Sequence, residues 1–176
     1  ANDSIIDKAR VDDSYGSGDA QLRVGDFVEY ELRIALPESS APNAVIADTL
    51  PRGMVFDTTV AINGDTSAPF AATAPFSHDD IIEPVQVGDP TAGATTLSWN
   101  IANLVNGGDN SAANDEFVLR YRARVLNQDV HPWPANSTPL TNTVDFSFDS
   151  AAGNENRNDG ETLDLLQPNL AVAISS

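Results

Sequence analysis

The 176-residue chain contains a single lysine, Lys8, beside eight arginines. A lysine amine is a nucleophile only when neutral, and a carboxamide yields to it when an acid polarises the carbonyl and shuttles protons. Burial favours both conditions, because desolvation lowers a lysine pKa and raises a carboxyl pKa. A Lys, an Asn and an acid that all face a dry core could therefore form an amide cross-link and release ammonia. Asn142 alternates with Leu140, Val144 and Phe146 on an apolar face, where a carboxamide is costly unless something uses it. Asp48 shares parity with Ala44 and Ile46, although Val45 and Ala47 offer a rival apolar face. Lys8 shares parity with Ile6, against a rival face of Ile5, Ala9 and Val11. Among competing acids, Glu29, Glu31 and Glu116 fall on the outward faces of their strands, so parity favours Asp48. Glu83 and Glu116 stand as substitutes.

The elements that must position these groups read as strands. Val28, Tyr30, Leu32, Ile34 and Leu36 alternate with Glu29, Glu31, Arg33 and Ala35. Phe117, Leu119, Tyr121, Ala123 and Val125 alternate in the same way with Val118, Arg120, Arg122 and Arg124. Leu97–Ile101, Leu140–Phe148, Ala44–Leu50, Met54–Thr58, Ile5–Val11 and Leu163–Leu166 complete about eight candidates. Asp13–Asp19, Asn106–Asp115 and Ser150–Gly160 are rich in Gly, Asn, Asp and Ser and read as turns. The weakly patterned segment 61–93 reads as a long insertion crossing between sheets, with a short strand at Ile81–Val87. Many half-buried strands without helical periodicity predict an all-β, immunoglobulin-like antiparallel β-sandwich. Glu29 and Glu31 would then pair with Arg120, Arg122 and Arg124 if their strands are neighbours, at about 0.2–1 kcal/mol a pair.

Composition removes whole classes of function. Nine cations face twenty-six acids, a net charge of −17, so nucleic acid and anionic membranes are poor partners. No apolar run approaches the ~20 residues of a membrane span. The absence of cysteine excludes disulfides, thiolate metal sites and cysteine nucleophiles. Neither a nucleophile elbow nor a phosphate loop nor a dinucleotide fingerprint occurs, and His78 and His131 lack metal spacing. Nineteen of the acids are Asp, the acid of turns and calcium loops. Asp12, Asp13 and Asp19 flank one such loop, and Asp109, Asp115, Asp149 and Asp159 are the candidate Ca²⁺ ligands of two others. No other cofactor is required. The segment His131-Pro132-Trp133-Pro134 could present an aromatic contact.

The order of motifs resembles a family. Val24-Gly25-Asp26 followed by Tyr30 is similar to the "VGD…Y" opening of a repeat found in tandem on bacterial surface proteins. Asp48-Thr49-Leu50-Pro51-Arg52-Gly53-Met54-Val55-Phe56 resembles its "DTLPxGLxF" signature, Thr96-Leu97-Ser98-Trp99 its "T-x-W" strand and Leu140-Thr141-Asn142-Thr143-Val144 its "LTNT" strand. Related fimbrial and collagen-adhesin domains are immunoglobulin-like sandwiches, many welded by a Lys–Asn isopeptide bond. The resemblance implies Lys8 and Asn142 as the cross-linked pair and Asp48 as proton shuttle, in a stalk domain that does not turn over substrate. It places residues 1–166 in one extracellular surface repeat and 167–176 in its last strand or the start of the next repeat. Partners would be adjacent repeats of the same polypeptide and a host or surface ligand. A second reading keeps the fold but makes it a calcium-dependent ligand-binding module without a cross-link.

Overall fold

The computed structural model describes residues 6–14, 21–126 and 137–166. Alternation between apolar and polar residues folds as eleven strands: β1 (Ile6–Asp13), β2 (Gln21–Leu22), β3 (Phe27–Ala35), β4 (Ser40–Leu50), β5 (Met54–Ile62), β6 (Phe76–Ser77), β7 (Val85–Gly88), β8 (Thr95–Asn106), β9 (Glu116–Val125), β10 (Ser137–Ser150) and β11 (Gly153–Leu166). One sheet has the order β1-β3-β9-β5, and the other β2-β11-β10-β4-β8-β6 with β7 added on β8. Every pairing is antiparallel except the short contact of β11 with β2. The result is an immunoglobulin-like antiparallel β-sandwich. Its inner faces hold Trp99, Tyr30, Tyr121, Phe117 and Phe146, all fully buried.

The insertion between β5 and β8 carries the chain from the four-stranded sheet to the seven-stranded one, and Phe70 and Ile81 bridge within it and sink into the core. Its short strand runs Val85–Gly88 on the edge of β8, slightly later than the pattern predicts.

One expectation needs correction. The turn-rich stretch Ser150–Gly160 is mostly strand, with the chain reversing at Ala151 and Ala152 and β11 beginning at Gly153, whose φ of 120° suits the turn exit. Polarity hid this strand. Its inward positions Glu155, Arg157, Asp159 and Glu161 lie at the half-buried rim, where Arg157 pairs with Glu155 at 3.1 Å rather than packing into the core. Glu29 keeps its expected face but not an exposed setting. It lies on the outer face of its sheet yet is only 5% exposed, because Arg120 (2.9 Å) and Arg122 (3.4 Å) close over it.

Strands β3 and β9 are neighbours, with Glu29 opposite Arg122 and Glu31 opposite Arg120. Arg124 instead reaches Asp57 on β5, 3.3 Å away. The Trp133 segment, Asp19 and the tail 167–176 lie outside the described residues.

Candidate functional site

β1 is an edge strand of the smaller sheet, and its alternation resolves in favour of Ile6 and Lys8 as the inward pair. The Lys8 side chain is completely covered. The backbone of β1 is also tied to the opposite sheet: the Lys8 N–H donates to Asp159 Oδ2 on β11 at 2.7 Å. In the larger sheet β4 and β10 are central neighbours, registered Asp48 to Val144. Asn142, two residues from Val144 on the same face, is therefore a diagonal neighbour of Asp48. Both are fully buried.

Lys8 Nζ makes a direct ion-pair hydrogen bond to Asp48 Oδ2. A residue the sequence reading left in the core completes the group. Tyr121 on β9 donates its hydroxyl proton to Asp48 Oδ1 at 2.8 Å and accepts from Asn142 Nδ2 at 2.6 Å and from Lys8 Nζ at 3.2 Å. The amine, the acid and the carboxamide thus meet around one hydroxyl. The Lys8 ammonium position also lies 4.5 Å from the Tyr30 ring centre and 5.4 Å from that of Tyr121, within cation–π range. Two buried polar atoms here lack hydrogen-bond partners, Asn142 Oδ1 and the Tyr30 hydroxyl.

The electrostatics follow from dryness. Burial pushes the Lys8 pKa below its ordinary value, against the pull of Asp48 beside it. Burial raises that of Asp48, against the Lys8 charge and the hydrogen bonds it accepts. Tyr121 is raised well above 10, first by burial and then by Asp48. The two shifts on Lys8 and Asp48 converge, which favours moving a proton from amine to acid. A neutral amine beside a protonated carboxyl and a carboxamide is the reactive combination for amide exchange.

The substitute acids are elsewhere. Glu83 bonds the Thr59 hydroxyl at 2.6 Å, itself the acceptor of the Trp99 indole N–H at 3.1 Å, and Glu116 pairs with Arg33 at 2.8 Å.

No known family's sequence pattern matches the chain, and no curated protein matches it in sequence. Solved structures resemble it in fold. The full-length major pilin SpaD from Corynebacterium diphtheriae superposes with a TM-score of 0.52 at 13% identity, covering 90% of this chain and 34% of that one. A C-terminal fragment of the major pilin GBS80 of Streptococcus agalactiae superposes at 0.51 with 12% identity, covering 94% of this chain and 56% of the fragment. The likeness is one of fold: the chain shares its β-sandwich with these two structures. It spans about a third of SpaD and just over half of the GBS80 fragment. The collagen-binding subdomain ACE19 of Enterococcus faecalis superposes more loosely, at 0.43 with 15% identity over 95% of this chain and 99% of that one.

Within the sandwich several motif residues serve the turns that aim β4 and β3. Gly53 takes φ 88°, the left-handed value a side chain resists, and its amide and carbonyl bind Pro90 O (2.8 Å) and Leu126 N (2.8 Å). Asp26 accepts the Arg23 amide at 2.7 Å. The four candidate calcium aspartates are not brought together. Asp109 takes the Ser111 amide and Asn114, Asp115 takes Asn106, Asp149 takes Asn43 and Asn154, and Asp159 takes Lys8. Among the described residues no three His, Asp or Glu side chains gather as a ligand set for a metal ion. Nor is any described helix long and apolar enough to cross a membrane.

Proposed function

We propose that this chain is a structural, load-bearing domain of a bacterial surface fimbria or adhesin, welded internally by an amide bond from Lys8 Nζ to Asn142 Cγ. The observation that carries this reading is the meeting of Lys8, Asp48 and Asn142 around one hydroxyl in a site closed to water. Asp48 takes the ammonium proton from Lys8, and the neutral amine attacks Asn142 Cγ. The protonated Asp48 carboxyl then polarises the carboxamide oxygen, and ammonia leaves. The reaction runs once per molecule, so the domain is not an enzyme with turnover. Its partners are neighbouring domains of the same polypeptide, and its place is outside the cell.

The weld suits a chain without cysteine. It joins an edge strand of one sheet to a central strand of the other, and closes a loop from residue 8 to residue 142. By the loop-closure expression used for disulfides, such a tie stabilises by about 5 kcal/mol. Intact mass under denaturing conditions tests the reading. The wild-type chain should be one ammonia lighter than its sequence, whereas Lys8→Ala and Asn142→Ala should have full mass. Full sequence mass in a folded wild-type sample would overturn it.

A further inference from the structure

We propose that the Tyr121 hydroxyl is the proton relay of the cross-linking step, carrying a proton from the attacking amine to the departing amide nitrogen. The proposal rests on the cross-link reading above and assigns it a second catalytic residue. A tyrosine hydroxyl has one proton to give and two lone pairs to receive, and here all three are committed. The proton goes to Asp48 Oδ1, and the lone pairs face Lys8 Nζ and Asn142 Nδ2. Those two nitrogens are the ones whose proton count must change.

In amide formation Nζ must lose one proton and Nδ2 must gain one. Asp48 alone has other work. Once it holds the proton first taken from Lys8, its carboxyl is the acid for the carboxamide oxygen, which has no hydrogen-bond partner in the resting site. The step then balances as follows. The Nζ lone pair forms the bond to Cγ, and the carbonyl π pair moves onto Oδ1, where the Asp48 proton stabilises it. The excess Nζ proton passes to the Tyr121 oxygen while the tyrosine's own proton turns to Nδ2. The carbonyl re-forms, the Cγ–Nδ2 bond breaks with its electron pair on nitrogen, and ammonia departs. Tyr121 ends with one proton, as it began. Burial and the neighbouring carboxylate hold the phenol protonated, so the hydroxyl passes a proton without becoming a free phenolate.

The ring has a separate, structural job. It packs 5.3 Å from Trp99 and 5.4 Å from Tyr30, centre to centre, and a phenylalanine would keep those contacts. Tyr121→Phe therefore isolates the hydroxyl. The test follows ammonia loss by intact mass after cell-free synthesis of the full chain, for wild type and Tyr121→Phe, with near-ultraviolet circular dichroism to check that each is folded. Loss of general acid–base transfer should slow the folded variant about 100-fold or more. A folded Tyr121→Phe chain that cross-links as fast as wild type overturns the relay. If wild type itself never loses ammonia, the cross-link reading fails and the relay with it.

A proton inventory on wild type keeps the proposal exposed should the variant not fold. Rates in mixtures of H₂O and D₂O should bow below a straight line, since two protons move together. A linear dependence, one proton in flight, contradicts the relay.

Discussion

Burying the sole lysine against an aspartate is an expensive arrangement, because each ion loses its water and the pair recovers that cost only with good geometry. Lys8 and Asp48 recover it through each other and through Tyr121. Removing the lysine exposes the imbalance. Lys8→Met leaves Asp48 buried without its cation, so the carboxyl pKa, already raised by burial, rises further. The folded chain then keeps a proton that the unfolded chain releases near pH 3.9, and stability falls as pH rises from there through the folded value. Urea unfolding of Lys8→Met should show stability at pH 4.5 exceeding that at pH 7.5, by roughly 1.4 kcal/mol for each unit of raised pKa spanned. A flat profile would mean that Asp48 is not held in a dry site. Tyr121 marks the limit of sequence reading at this scale. It alternates with Leu119 and Ala123 as any core aromatic would. Its hydroxyl gains meaning only when β9 is packed across from β4, and the one available signal is that a buried tyrosine hydroxyl needs a partner.

At the scale of strands, the geometry around Lys8 depends on how an edge strand is held down. β1 pairs with β3 along one side only, and its other side is fixed to the second sheet by the Lys8 amide on Asp159. Asp159→Ala in an Asn142→Ala background, where no weld can mask the effect, should cost about 1–3 kcal/mol for the orphaned amide. Hydrogen exchange should accelerate in β1 while β4 and β10 stay protected. Equal protection of β1 in both chains would show that the clamp is unnecessary. Strand β1 also shows what alternation can and cannot settle. Two rival apolar faces left the direction of Lys8 open, and β4 posed the same ambiguity for Asp48, since both flanks of each strand carry small apolar residues. Strands β3 and β9 were legible as neighbours because charges of opposite sign sit on their outer faces, although which arginine meets which glutamate was not. β11 was not, because its inward positions at the rim are acids and an arginine rather than aliphatics.

For the whole molecule, the sandwich and its insertion follow from patterning, whereas the order of the strands in each sheet, and with it the convergence of three distant residues, is a product of topology. Lys8, Asp48 and Asn142 come from the first, fourth and tenth strands, and no spacing in the chain announces that they meet. The proposed covalent tie between them would change how the domain carries load. Force entering through β1 would pass straight to β10, sparing the ladders between. Pulled from its ends in a single-molecule instrument, wild type should extend only by the segments outside residues 8 and 142. Asn142→Ala should unravel through its full length. Full extension of wild type would remove the mechanical role.

The central claim is the bond itself, and the most direct measurement is tandem mass spectrometry of the proteolysed, denatured wild-type chain. The account predicts one branched peptide in which the Lys8 segment is joined to the Asn142 segment with loss of ammonia, absent from Lys8→Ala, Asn142→Ala and Asp48→Ala. Recovery of both segments only as separate linear peptides, from protein known to be folded, would contradict it.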